Sequence, residues 1–227
     1  MLFIDKISQP SRAIMTMIEM AGIEGIELKT VQLLKGELMG KEFEKLNPNK
    51  KVPFYKDDQV QLFESGAIMR YLCNKHLKPD SSLYPSGSPA KMSDIEAALV
   101  IHHRVYRQIA TYYFALKVAP MLKIVHLFDI EREKAKSDKL LVVINNVLQS
   151  KENRTASAGV ITISDLLLYH EILQIHNIPG FTLEGRNLQS LIDFMHDVYQ
   201  ATRHTEILKY MESKLCRTNE NSRYLFK

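Results

Sequence analysis

The stretch KPDSSLYPSGSP, Lys78 to Pro89, constrains this chain more than any other. Prolines, serines and a glycine replace the apolar periodicity on either side of it, which reads as a linker between two differently built halves. Before it, short apolar runs alternate with helical patterns: Leu2 to Ile4, a helix from Pro10 to Ala21, the strand-like IELKTVQLL, and a short helical piece near Lys41 to Leu46. Next come VPFYKDDQVQLF, two strands around a polar Lys56-Asp57-Asp58-Gln59 turn, and a helix from Ser65 to about His76. A β-α-β-α-β-β-α order implies a small mixed sheet with helices on its faces. After Pro89 the pattern is helical, over 90–116 with a break at Pro120, then 122–149, 164–175 and 188–215 with interruptions. The expected class is therefore α/β plus all-α, with domains at 1–77 and 90–227 joined by the linker 78–89.

Within this frame many residues have structural roles. Ala13, Ile14, Met17, Ile18 and Ala21 form one stripe at helical spacing, with Gly22 as a C-terminal stop. In GVITISDLLLYHEI, Thr162 caps a helix, Asp165 reaches back and Ile161 packs on Leu166 as a hydrophobic staple.

Composition removes several function classes. A formal charge of +4 from 30 basic and 26 acidic residues is a mixed surface without a basic run, which excludes the nucleic-acid binder's footprint. Cys73 and Cys216 make no disulfide framework or metal spacing, which suits a reducing compartment. The chain enters LFI without a signal-peptide pattern, and no apolar run approaches ~20 residues, so a cytoplasmic protein without membrane insertion is expected. Asn153 opens an NRT sequon that matters only in secreted chains. GELMGK is one residue short of a phosphate loop. His102 and His103 diverge by ~100° on a helix, so no metal is expected. EREKAKSDK, Glu131 to Lys139, reads as a solvated face.

Three motifs lie at helix starts or strand edges. In SQPSR, Pro10 fits the first helical position, which makes Gln9 the cap and leaves Ser8 one residue outside. In NPNKKVPFY, Val52 is biased to extended backbone by Pro53, at a bond where a cis peptide can be selected. In FESGAIMRYL, Glu64 and Ser65 open a helix whose free N–H groups suit a carboxylate, while Glu64 suits an amine. Singly, each is equally a turn or a cap.

In order, these motifs resemble the glutathione transferases, and SQPSRA, LLKG, NPNKKVP, ESGAI and LEGR resemble the theta class, whose catalytic residue is a serine near the N-terminus. The resemblance implies a thioredoxin-like first domain, an all-helical second domain, a homodimer, and glutathione as co-substrate. It assigns Ser8 to the glutathione sulfur, with Arg12 as the arginine beside it. Lys51, Val52 and Pro53 go to the peptide backbone, and Glu64 and Ser65 to the γ-glutamyl end. A small hydrophobic electrophile or a peroxide would be the second substrate, with Tyr106, Tyr112, Tyr113 and Leu116 as candidates for its apolar side. Leu38 stands where theta enzymes often carry a histidine, and Arg104 where they offer an acid to the partner subunit's glutathione. The tail KLCRTNENSRYLFK is shorter than that of relatives that close the site with a C-terminal helix, so a more open electrophile site is expected. NRTASAG lacks the bulky apolar pair that often precedes the helix-start motif.

The chemical task is to ionise a thiol of ordinary pKa ~8.5 at neutral pH. A charge-assisted hydrogen bond from Ser8 supplies ~1.5 to 3 kcal/mol and a helix N-terminus ~0.3 to 1 kcal/mol, which suffice without a general base. Two function classes follow: a serine-type glutathione transferase or peroxidase, and a fold relative kept as a dimerisation or assembly module, motivated by Leu38 and Arg104. A reductase of this fold would want a cysteine where Ser8 stands.

Overall fold

The computed structural model describes residues 1–150 and 160–226; the Asn153 sequon and the NRTASAG segment lie outside the described residues. The first half is a thioredoxin-like arrangement around a four-stranded mixed sheet of order β2-β1-β3-β4. Strand β1 (Leu2–Ile4) runs parallel to β2 (Leu28–Thr30) through the crossover helix α1 (Gln9–Met20). It pairs antiparallel with β3 (Phe54–Lys56), which turns back into β4 (Gln61–Leu62). The Asp57 carboxylate fixes that turn by accepting the N–H groups of Gln59 and Val60, both at 2.9 Å.

Strand pleating sorts the apolar residues to two sides. Leu2, Ile4 and Tyr55 join the main core with the α1 stripe and with Ile68, Met69 and Leu72 of α3 (Ser65–His76). Phe3 and Phe54 face the other way, where they meet Val31 and Phe43 of the short helix α2 (Lys41–Leu46). The main core is continuous into the second half, so the two halves share one interior.

That second half is helical: α4 (Pro89–Arg104), α5 (Ile109–Tyr113), α6 (Ile130–Gln149), α7 (Ile163–Ile175), α8 (Gln189–Thr202) and α9 (Glu206–Thr218). Helix α7 is buried along its whole length, as a helix without a polar face must be, and packs against α1, α3, α4, α5 and α8. Its start is the expected capping box, with Thr162 N–H donating to Asp165 Oδ2 at 2.9 Å.

Four local expectations need correction. The helix expected over 90–116 ends at Arg104; Val105 makes the last bond of the ladder, to Ile101 O at 2.8 Å, and its backbone then turns away at φ −119°, a 3-10 turn spans Tyr106–Gln108, and α5 carries Ile109 into the core. The helix expected from 122 starts at Ile130, because Asp129 accepts the Arg132 N–H at 3.0 Å as its cap while Lys123, at φ 58°, cannot continue a helix. Glu131 to Lys139 is only partly solvated, since Glu133 and Ser137 are buried. Ser8, not Gln9, caps α1: its backbone is extended and its hydroxyl accepts the Ser11 N–H at 3.4 Å. Serine's short side chain suits this position, and Gln9 instead sends its amide to Glu171.

A buried imidazole makes the fold acid-sensitive. Tyr224 Oη accepts the Leu183 N–H at 2.9 Å, and so directs its own proton to His176 Nε2 at 3.1 Å, while Nδ1–H donates to Ile172 O at 3.0 Å. The bond that Nε2 accepts from Tyr224 needs neutral His176, and burial holds its pKa down from 6.5 to about 4 although the Ile172 bond favours the charged form. Burial also lowers His170, assisted by the charge of Arg12. Between about pH 6.5 and 4 the unfolded chain binds a proton that folded His176 refuses, so stability is complete above this window and is lost as pH falls through it. The expected loss from His176 alone is about 3 kcal/mol across the window. Urea midpoints at pH 7 and pH 5 should separate clearly in the wild type and less in His176→Gln; equal separation in both would remove His176 from the account.

Candidate active site

Ser8 is placed by the turn before it. Asp5 Oδ1 accepts the Ile7 N–H at 2.9 Å, Asp5 O accepts the Ser8 N–H at 3.0 Å, and Asp5 Oδ2 accepts the Leu33 N–H at 2.8 Å from the segment after β2. The Ser8 hydroxyl then sits at the positive end of α1, 3.4 Å from both Ser11 N and Val52 O. These are long contacts, so neither partner holds the hydroxyl firmly.

Opposite it, Asn47 builds the loop that carries Lys51 and Val52. Its amide donates to Lys51 O at 2.7 Å and its Oδ1 accepts the Asn49 N–H at 2.9 Å. The Val52–Pro53 peptide is cis. Glu64 stands at the N-cap of α3 with φ 69°, a strained conformation for a residue bearing a Cβ. Its carboxylate is exposed and lies 3.6 Å from His103 Nδ1.

These segments line one cleft with two lobes. A lobe of about 380 Å³ is bordered by Lys51, Val52, Pro53, Glu64, Ser65 and the end of α4. A second lobe of about 520 Å³ holds Ser8, Gln9, Leu38, Tyr113 and Phe114. Pro10, Lys51, Val52 and Arg107 border both, so they mark the junction. A polar ligand can lie along the first lobe, against the N–H groups of α3, and present a reacting atom to Ser8 where the apolar lobe begins.

Sequence reasoning brought Ser8, Lys51, Val52, Pro53, Glu64 and Ser65 to one cleft, and they do border it. Leu38 lines the apolar lobe and Arg104 the polar one. Tyr113 borders the apolar lobe, and burial raises its phenol pKa. Tyr106, Tyr112 and Leu116 border neither lobe; they pack against the core. Arg12 also lies off the cleft, fully buried behind Ser8. Its Nη1 donates to Lys6 O at 3.0 Å and Ile7 O at 2.9 Å, and its Nη2 to Gln174 Oε1 at 2.6 Å and His170 O at 3.4 Å. It therefore positions the turn before Ser8 and borders neither lobe.

The motifs did not disclose the support beneath. Glu171, wholly buried on α7, accepts the Gln9 amide at 3.2 and 3.3 Å and lies 3.4 Å from His102 Nε2. Gln9 borders the apolar lobe and His102 the polar one, so one carboxylate braces both from below. Among the described residues no cluster of His, Cys, Asp or Glu is arranged to hold a metal, and no helix is long and apolar enough to cross a membrane.

Residues 2–80 match the family described as glutathione S-transferase, N-terminal domain. Human glutathione S-transferase theta-2 is 33% identical over 191 residues, covering 82% of this chain and 75% of that protein. The structure of human glutathione transferase theta-2 in complex with glutathione and an unknown ligand aligns with TM-score 0.71 at 26% identity, covering 99% of this chain and 94% of the other. A human theta-class transferase in complex with the glutathione conjugate of 1-menaphthyl sulfate aligns with TM-score 0.75 at 27% identity, again over 99% and 94%.

Proposed function

The chain belongs to the glutathione S-transferase family, with theta-class relatives, and from this we propose that it is a serine-type transferase that uses Ser8 to stabilise the glutathione thiolate. The observation that carries the reading is the place of the Ser8 hydroxyl, at the α1 N-terminus and beside Val52, where the polar lobe meets the apolar one.

In this reading glutathione lies in the polar lobe. Its peptide runs along Lys51, Val52 and Pro53, its γ-glutamyl end reaches Glu64 and Ser65, and its sulfur meets Ser8. The thiol loses its proton to solvent, and the Ser8 hydroxyl donates to the resulting thiolate. The thiolate then attacks an electrophilic carbon in the apolar lobe; a carbon–sulfur bond forms and the leaving group departs with its electron pair. With a hydroperoxide, the thiolate attacks one oxygen instead; the O–O bond breaks, the alcohol leaves, and a second glutathione converts the resulting sulfenic acid to disulfide and water. Residues 1–77 serve as the glutathione domain and 90–227 supply Tyr113 and Phe114 to the second substrate, with 78–89 as linker, in a cytoplasmic homodimer. Leu38 and Arg104 in the cleft favour the other reading, a scaffold that has lost glutathione and serves assembly.

Calorimetric titration of glutathione separates the two. Binding in the micromolar to low-millimolar range is expected, weakened about tenfold in Glu64→Ala, the size of one charge-assisted contact. No binding to the wild type, with binding gained in Leu38→His, would sink the enzyme reading in favour of the scaffold.

A further inference from the structure

Resting on the glutathione reading above, we propose that the polar lobe prefers a γ-linked thiol peptide without a free α-ammonium, and that Arg104 sets this preference. The lobe is bordered by Lys51, Arg70, His103, Arg104 and Arg107, whereas Glu64 is the one acidic side chain among its described lining residues. Lys51, Arg70, Arg104 and Arg107 come from separate places: the loop before β3, helix α3, the end of α4 and the turn after it. Arg70 is neutralised by Glu96, which Arg70 Nη1 contacts. Among the described residues no ion pair neutralises Lys51, Arg104 or Arg107.

Glu64 would have to receive the ammonium, but it already faces His103 Nδ1 at 3.6 Å. An ammonium placed there meets one shared carboxylate and the uncompensated field of Lys51, Arg104 and Arg107. The neighbouring carboxylate of the same γ-glutamyl end meets the opposite situation. It finds that cationic field and the N–H groups of Ser65, Gly66 and Ala67, which precede the first backbone bond of α3, Ile68 N–H to Glu64 O. The lobe thus favours the carboxylate and disfavours the amine beside it. The desamino analogue, γ-glutaryl-cysteinyl-glycine, keeps both carboxylates and the thiol and lacks only the ammonium.

The test is calorimetric titration of the full chain with glutathione and with γ-glutaryl-cysteinyl-glycine, on the wild type and on Arg104→Asp, at low salt and at about 0.5 M salt. The wild type is expected to bind the desamino peptide about three- to tenfold more tightly at low salt, and the gap should narrow as salt screens the exposed charges. Arg104 is exposed, so Arg104→Asp should fold normally and reverse the order. Tighter binding of glutathione by the wild type, or an unchanged ratio in Arg104→Asp, would overturn the inference while leaving the transferase reading intact. Binding of neither peptide would overturn both.

Discussion

Ser8→Ala is expected to raise the pKa of bound glutathione by about one to two units, the equivalent of a charge-assisted hydrogen bond of ~1.5 to 3 kcal/mol. Glutathione affinity should barely move at a pH below the wild-type bound pKa, because the hydroxyl contributes little to the neutral thiol, and should weaken above it, where the thiolate's stabilisation is part of the binding. Below the wild-type pKa the thiolate fraction falls about 10- to 100-fold. The more basic thiolate is a better nucleophile, with a Brønsted slope near 0.45, so the conjugation rate should fall only about 4- to 12-fold. The same substitution removes the α1 cap, whose loss costs about 0.5 to 2 kcal/mol, so stability must be followed alongside. Ser8→Thr keeps both hydroxyl and cap and should restore the low pKa. The thiolate absorbance of the binary complex, titrated against pH, reads the effect directly; an unmoved titration in Ser8→Ala would take Ser8 out of the chemistry.

The sequence places Ser8 outside the helix, because proline at the first helical position makes Gln9 the cap. In the structure the helix begins one residue earlier, and the same hydroxyl serves as cap and faces the cleft. Pro10 is tolerated at either of the first two positions, where no N–H is needed, so proline fixes the start only to within a residue. Where a local signal is unambiguous, the reading is sharp: α2 at Lys41–Leu46, α3 at Ser65–His76, and the Thr162–Asp165 box all stand as the pattern implies. Where the end of a helix is set by tertiary packing, it is not. Nothing local in HHRVYRQIATYY marks Val105 as a break; the core's demand for Ile109 does. Likewise Glu171 reads as one polar residue in an apolar helix. Its partner Gln9 is 162 positions away, a separation that no window of periodicity spans.

Arg12→Met, with Glu171 left in place, is expected to destabilise the fold by about 3 to 5 kcal/mol, because it leaves several buried acceptors unpaired at about 1 to 3 kcal/mol each and removes the cation whose field reaches buried Glu171. At roughly 2 to 4 °C per kcal/mol for a chain of this size, the thermal midpoint should fall by about 6 to 20 °C. The cause lies in what the guanidinium holds. It satisfies Lys6 O and Ile7 O in the turn before Ser8, and Gln174 Oε1 and His170 O on α7, so one side chain ties the first half to the second. Burial pushes its pKa down to about 10, against the favourable field of Glu171, yet it stays charged at neutral pH. Lysine has a single compact head and cannot span these acceptors, so Arg12→Lys should recover little. If the loss reflects an abandoned carboxylate, Arg12→Met with Glu171→Leu should cost less than the two single changes summed, because the second removes the charge that the first strands. Strict additivity would instead mean that the guanidinium acts through its carbonyl contacts alone. A loss below about 1 kcal/mol in Arg12→Met would show that the junction holds without it.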